Sequence, residues 1–260
     1  MVATYRFSMT AVSIITVCRN SADVIASCLQ SVALQTHSKI EHIVIDGDST
    51  DGTCKIIDSF PHVAKRVSEP DCGLYDAMNK GIAMATGEVV GILNSDDFYP
   101  NADVIATVAQ EFDVAEVDAT IGDVAFVSPN NLKRITRYYS AHGWHVGKLR
   151  DGFMPPHPAF FVRRSYYQQL GGYRTDYQIS ADFELLARFL YGSRLHYRYL
   201  HQPLVHMRSG GASNASVERR LMLSRELLRA CGENGIQTSS LRLSMRYWRK
   251  IWEFVPWLHP

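Results

Sequence analysis

Apolar positions in the first hundred residues come in two alternating kinds of block. The runs Val12-Ser-Ile-Ile-Thr-Val17, Glu41-His-Ile-Val-Ile45 and Val89 to Leu93 are short, aliphatic and nearly unbroken, the pattern of strands buried on both faces, and Arg66-Val-Ser68 is a shorter one. Between them the apolar spacing changes to three and four. After Asp23, Val24, Ile25, Cys28, Leu29 and Val32 share one helical face. A second helix runs to Phe60, with Thr50 or Asp51 as its cap, and a third covers Leu74 to about Ala85. Strand and helix alternating through short connections predict an α/β fold, a Rossmann-like, mostly parallel central sheet with helices on both faces.

Beyond Asp97 the pattern loosens. Ala102 to Phe112 reads as a helix, Ala119 to Val127 as a strand, and Leu132 to Tyr139 as its antiparallel partner across a Pro-Asn-Asn turn. Residues 140–157, rich in His, Gly and Pro, predict a loop over the sheet, a common place for a functional lid. Pro158 to Arg163 and Leu195 to Leu200 predict strands; Ser165 to Leu170, Ser180 to Leu190 and Val217 to Ala230 predict helices. The sequence shows no repeat, low-complexity tract or linker, so one domain over residues 1–215 with a helical extension over 216–260 is expected.

Composition narrows the function class. A formal charge of +1 over 260 residues lacks the basic excess of a general nucleic-acid binder, so nucleic acid is not an expected partner. No apolar run approaches the roughly 18 residues of a membrane span, and residues 1–11 do not read as a secretory signal. The five cysteines are odd in number and scattered, as in the reduced thiols of a cytoplasmic protein. The sequon Asn214-Ala-Ser216 would find no use in that compartment.

The chemistry gathers where strands end. Thr16 to Asn20, Asp46 to Thr53, Asp71 with Lys80, and Asn94 to Asp97 all fall at strand ends or helix starts on one edge, where open α/β sheets bind ligands. Each cluster alone reads more readily as a polar turn than as a site; four together read as a site. Adjacent carboxylates such as Asp96 and Asp97 are costly to desolvate without a positive partner, and oxygen-only ligands suit Mg²⁺ or Mn²⁺. Arg19 and Lys80 are candidates to face a phosphate. Neither G-x-G-x-x-G nor G-x-x-x-x-G-K occurs, so phosphates would rely on the metal and scattered cations.

Several stretches resemble the family 2 glycosyltransferases of the GT-A fold. They are Val12-Ser-Ile-Ile-Thr-Val-Cys-Arg-Asn20, Ile43-Val-Ile-Asp-Gly-Asp-Ser-Thr-Asp-Gly-Thr53, Gly73-Leu-Tyr-Asp-Ala-Met-Asn-Lys-Gly81, Ala85-Thr-Gly-Glu88 and Leu93-Asn-Ser-Asp-Asp97. The chain is similar to the branch found in bacterial polysaccharide clusters, including colanic-acid-type enzymes, over roughly residues 10–215. The resemblance implies that Asp46 hydrogen-bonds the nucleotide base, that Thr16, Cys18, Asn20 and Asp48 belong to the same nucleotide-sugar pocket, and that Asp71 lies near the nucleotide or donor sugar. Asn94-Ser95-Asp96 stands where the family's D-x-D motif belongs. Its first position is Asn, so Asp96 becomes the chief ligand for diphosphate and metal, with Asp97 beside it.

Further along, Ser180-Ala-Asp-Phe-Glu-Leu185 resembles the family's E-D-x-E-L segment, with Ala181 in place of the first acid. Asp182 falls at the position of the catalytic base, and Glu184 competes for that role or contacts the acceptor or sugar. His206-Met-Arg-Ser-Gly-Gly-Ala-Ser213 resembles a late Arg-x-Gly-Gly-x-Ser segment, which implies an Arg208 grip on the diphosphate and His206 as a supporting metal ligand. His157 aligns with a substrate contact.

The stretch 241–257 interleaves basic residues with Trp248, Trp252, Phe254 and Trp257, which suits a membrane surface or, equally, packing on protein. The expected activity is an inverting transfer from a nucleotide-sugar, with UDP as the expected nucleotide, to a hydroxyl of a saccharide or polyprenyl-linked glycolipid in bacterial surface polysaccharide or glycolipid biosynthesis. It would take place in the cytoplasm or at the inner face of the plasma membrane. A sugar-1-phosphate nucleotidyltransferase and a non-catalytic nucleotide-sugar-binding protein are the alternatives.

Overall fold

Strand β1 (Val12–Cys18) is buried over its whole length, as its unbroken apolar run requires. It lies between β2 (Ile40–Asp46) and β4 (Val89–Ile92) and runs parallel to both. The computed structural model describes residues 9–114, 116–209 and 217–244. Outward from β2 lies β3 (Val63–Ser68), also parallel. On the other side β7 (Phe160–Arg163) pairs antiparallel with β4 and with β5 (Ala119–Ser128). β6 (Asn131–Tyr139) is the antiparallel hairpin partner of β5, and β8 (Tyr197–Arg208) runs parallel to β5. The result is one eight-stranded sheet in the order β3-β2-β1-β4-β7-β5-β6, with β8 on the free side of β5. Only β6 and β7 run against the others, so the carboxyl ends of six strands share one edge.

Two packed faces enclose the sheet. On one, Ile15 and Val17 of β1 meet α3 (Leu74–Met84), α6 (Ala181–Leu186) and α7 (Val217–Glu233) through Met78, Phe183 and Leu227. On the other, Val12 and Ile14 meet α1 (Ile25–Ala33) and α4 (Val104–Val114) through Cys28, Val32 and Val108. These residues alternate along β1 because successive side chains point to opposite faces. The short helices α2 (Thr53–Asp58), α5 (Arg164–Leu170) and α8 (Ser240–Ser244) complete the chain. Leu227, Ala230 and Cys231 of α7 join the same cluster as the sheet.

Three elements differ from their sequence expectations. Helix α2 stops at Asp58, short of Phe60. Its N-cap falls on Gly52 rather than on Thr50 or Asp51, although the side chain of Asp51 reaches the first turn: Oδ1 accepts the Thr53 N–H at 3.0 Å and the Thr53 hydroxyl at 2.6 Å. The helix beginning at Ala181 changes pitch at Ala187 and ends in a π-helical turn through Gly192. The strand expected to end at Leu200 instead continues through Pro203 to Arg208. Register shifts around Asp123 absorb the proline, which cannot donate to the ladder. The lid loop holds a 3-10 turn at Val146–Asp151, pinned by the indole N–H of Trp144, which donates to Phe153 O at 3.0 Å. Among the described residues no helix is long and apolar enough to cross a membrane. The stretch 241–257 lies outside the described residues beyond Ser244, as does the sequon at 214–216.

Candidate active site

The carboxyl edge begins at Asp46, the last residue of β2. Its carboxylate is wholly buried. Oδ2 accepts the Ser49 N–H at 2.9 Å, the Ser68 hydroxyl at 2.7 Å and the Cys54 thiol at 3.3 Å, while Oδ1 accepts the Ser49 hydroxyl and the Cys18 thiol. Burial alone would raise this carboxyl; the hydrogen bonds outweigh burial and hold it below the usual range. Burial and the Asp46 charge push the Cys18 thiol far up, so it stays protonated. Asp46 therefore fixes the turn that presents the exposed Asp48, whose backbone is left-handed at φ 60°. The loop after β1 closes on the same turn: the Asn20 N–H donates to Ser49 Oγ at 2.7 Å, and Asn20 Oδ1 accepts the Thr50 N–H at 2.9 Å.

Gly47 completes this corner. A Cβ built there would lie 2.3 Å from Asp71 Oδ2 and 3.4 Å from Arg19 Cδ, so only glycine leaves room for both side chains. Asp71 is held by the Gly73 N–H, which donates to Oδ1 at 2.8 Å. Asn20, Asp48, Asp71 and Arg19 thus frame one polar corner at the ends of β1, β2 and β3.

The end of β4 supplies the next group. Ser95 Oγ lies 3.0 Å from Ser21 Oγ, which ties the Asn94–Asp97 turn to the loop after β1. The half-buried Asp96 is anchored from behind, because its carbonyl accepts a short hydrogen bond from the Arg208 guanidinium. Arg208 also donates to Ser27 Oγ at 2.5 Å and stacks over Phe98 at 5.4 Å. Its position follows from the length of β8, whose His206 pairs with Phe98 through both backbone bonds of a bridge. The His206 ring packs edge-on against Phe98, and burial lowers its pKa.

A cavity of about 460 Å³ opens beside Asn94, between α3, α6, α7 and the lid loop. Most of its wall is apolar, including Tyr75, Phe126, Met154 and Leu227, and its polar members include Asn94, His157 and Asp182. Burial raises the Asp182 carboxyl to about 6; the Phe183 N–H, donating to Oδ1 at 2.8 Å, opposes the rise and the Glu226 charge adds to it. Burial lowers His157 to about 4, so it is neutral near pH 7, and its Nε2 shares a short hydrogen bond with the Tyr173 hydroxyl. Tyr173 stacks on Tyr75 with ring centroids 5.8 Å apart.

Three residues expected at the site are engaged elsewhere, and a fourth stays in the Asn94–Asp97 turn but is wholly buried. Thr16 faces the α1 side of the sheet, fully buried, with Oγ1 2.9 Å from His42 Nε2. Lys80 Nζ braces the loop before α3, 2.8 Å from Glu69 and donating to Pro70 O at 3.0 Å. Glu184 is 2% exposed, and both its oxygens pair with Arg188 at 2.9 Å, so neither a base nor a sugar-contact role fits it. Asp97 is fully buried; burial, then the Asp96 charge, pushes its carboxyl well above the usual range.

The donor set for a cation is correspondingly spare. Among the described residues no group of three or more His, Cys, Asp and Glu side chains is assembled to hold a metal. Beside Asp96, two buried oxygens, Asn94 Oδ1 and Asp97 Oδ1, have no hydrogen-bond partner among the described residues. One carboxylate with neighbouring unpaired oxygens fits a hard cation that brings its own phosphate ligands, as Mg²⁺ commonly does. Sequence alone assigns no role to Gly47, Tyr75, Tyr173 or Glu226. The first two stand inside matching motifs without a role, and the other two belong to no motif.

Comparison with known proteins places the chain in a family and a fold. Residues 13–171 match the family model described as Glycosyl transferase family 2. A PGL/p-HBAD biosynthesis glycosyltransferase of Mycobacterium bovis is 32% identical over 216 residues, covering 81% of this chain and 82% of that relative. Among solved structures, Staphylococcus aureus TarS 1-349 in complex with UDP superposes with a TM-score of 0.66 at 17% identity, covering 94% of this chain and 72% of that one. The glucosyl-3-phosphoglycerate synthase of Mycobacterium tuberculosis, in complex with Mn²⁺, UDP and glucosyl-3-phosphoglycerate, gives 0.61 at 16% identity over 88% and 82%. These likenesses identify the fold as GT-A.

Proposed function

This chain belongs to glycosyl transferase family 2 and is a glycosyltransferase, and from that premise we propose that it moves a sugar, with inversion, from a UDP-sugar to an acceptor hydroxyl. The observation that carries the reading is Asp182, a carboxyl raised to about 6 in the wall of a cavity that reaches Asn94 at the end of β4. An acceptor hydroxyl is a poor nucleophile until a positioned base takes its proton in the transition state, and a base of this pKa is ionised at neutral pH yet still able to hold the proton. A single carboxylate there suits direct displacement, which inverts the anomeric centre.

The polar corner of Asn20, Asp48 and Asp71, with Asp46 buttressing it, is the proposed nucleotide end of the donor. Arg208 steadies the Asp96 turn and lies near enough to the diphosphate station to share its charge. Mg²⁺ or Mn²⁺ would be held by Asp96 with the Asn94 and Asp97 oxygens, and would neutralise charge on the leaving diphosphate. The mycobacterial synthase, solved with Mn²⁺ and UDP together, supports that assignment by analogy. His157, neutral and bonded to Tyr173, shapes the cavity wall.

The apolar wall favours an acceptor carrying an apolar group beside the reacting hydroxyl, such as a glycolipid in surface polysaccharide or glycolipid biosynthesis. Cytoplasmic action, with 241–257 at a membrane surface, belongs to this proposal. Family membership disfavours the nucleotidyltransferase alternative.

A panel of nucleotide-sugars screened by thermal shift, with and without Mn²⁺, tests the donor assignment, since a ligand of the folded state raises the midpoint with concentration above Kd. Asp182→Asn should retain donor binding and lose transfer. Full transfer by that variant would remove Asp182 from the mechanism.

A further inference from the structure

We propose that Glu226, on the C-terminal helix α7, is a positioning residue that sets the Gln178–Ser180 turn and thereby aims Asp182; the role rests on the reading of Asp182 as base. The turn immediately precedes α6, and Ser180 occupies its N-cap position without a side-chain bond to the helix. The Glu226 carboxylate accepts the Gln178 N–H at 2.7 Å through Oε1. Through Oε2 it accepts the Ile179 N–H at 3.0 Å and both the N–H and hydroxyl of Ser180 at 2.9 Å. Four donors converge on one side chain contributed from another element.

The opposite side of the turn is held as well. The Tyr75 hydroxyl of α3 donates to Ile179 O at 2.7 Å. With its N–H groups bound to α7 and this carbonyl to α3, the turn has little freedom. Asp182 lies two residues after it and has no ion-pair partner to orient it among the described residues. One and two turns further along α7, Arg229 and Glu233 repeat the arrangement: Arg174 Nη1 donates to Glu233 at 2.6 Å, and the Tyr177 hydroxyl donates to Glu233 at 2.7 Å. The positions i and i+7, Glu226 and Glu233, lie on one helical face and staple residues 174–180 at both ends.

The charge matters in addition to the bonds. Burial opposes ionisation of Glu226, but the donated hydrogen bonds outweigh it and hold the carboxyl below its usual range. An ionised Glu226 beside Asp182 discourages a second charge there. The other titratable groups around Asp182 are Tyr75 and Tyr173, with His157, Tyr139 and Arg137 in the same cavity wall. A substitution at Glu226 therefore has a readout that simple loss of stability does not produce.

The test uses the full chain labelled with ¹³Cγ-aspartate, the Asp182 resonance being assigned by its absence in Asp182→Asn. The wild-type midpoint is expected near 6, and Glu226→Gln should move it down by roughly half a unit or more. In the same variant kcat for nucleotide release from the accepted donor should fall about tenfold or more, with donor Kd unchanged, because misplacing a reacting group by an ångström is costly. An unmoved Asp182 midpoint, or wild-type kcat, overturns the proposal. If Glu226→Gln does not fold, Glu226→Asp serves: it keeps the charge, shortens the reach and should lower kcat alone, and wild-type kcat in it likewise overturns the proposal. The resonance titration requires no substrate, so it decides on Glu226 even if no nucleotide-sugar is turned over and the functional reading fails.

Discussion

The pH dependence of transfer follows from one carboxyl. If Asp182 must be ionised to accept the proton, kcat/KM tracks its ionised fraction. With a pKa of about 6, about nine-tenths is ionised at pH 7 and about one-tenth at pH 5. An ordinary aspartate at 3.8 would be almost wholly ionised at both. The structure thus predicts about a tenfold loss between pH 7 and pH 5, where an exposed carboxylate would give almost none. The assay is nucleotide release at subsaturating acceptor in buffers of constant ionic strength, with far-UV circular dichroism at each pH to show that the chain remains folded. A flat profile down to pH 5 in folded protein would refute the assignment of the base.

Three further outcomes follow from geometry outside the base. Glu184→Gln strands the Arg188 guanidinium, which also donates to Gly171 O at 3.0 Å and Gly172 O at 2.7 Å; a loss of about 3 kcal/mol in urea unfolding is expected, typical of a broken buried pair. Gly47→Ala should displace the Asp71 carboxylate and weaken UDP binding by roughly tenfold in calorimetry, with little change in melting temperature, because a flexible side chain can give way. His42 and His157, lowered by burial from 6.5 to about 3 and about 4, take up protons only on unfolding as the pH falls below 6.5. Stability should be level above that pH and decline below it by up to about 1.4 kcal/mol per pH unit for each group, read as a falling urea midpoint from pH 7 to pH 5.

The donor half of the fold was readable because its signals are local. Continuous apolar runs define β1, β2 and β4, and period-three-and-four spacing defines α1 and α3. The polar corners must then follow, since parallel strands end at one edge. What could not be read depends on contacts distant in sequence. Glu184 and Asp182 are two residues apart in one acidic segment, and only the fold shows that Glu184 meets Arg188 while Asp182 faces the cavity. Thr16 stands in a matching motif, yet the alternation along β1 turns it toward His42. Arg208 lies eight residues beyond the expected strand end at Leu200, and it joins the sheet only because β8 carries extra residues around Pro203 where it pairs with Asp123 of β5. Glu226 belongs to no motif; its meaning appears only when α7 packs beside residues 178–180.

Strand β7 gives the fold a natural division of labour. It joins β4 through just three residue pairs, Val89 with Arg163, Val90 with Val162 and Gly91 with Phe161, and the Phe161 ring covers the bare face of Gly91. Every residue of the proposed nucleotide corner lies before this junction, whereas the cavity wall draws heavily on what lies after it. Exchanging the later half for that of a relative would leave most of the donor's contacts in place. Such a chain can change what it glycosylates while keeping the sugar-nucleotide it spends, provided the new half preserves a small residue opposite the ring.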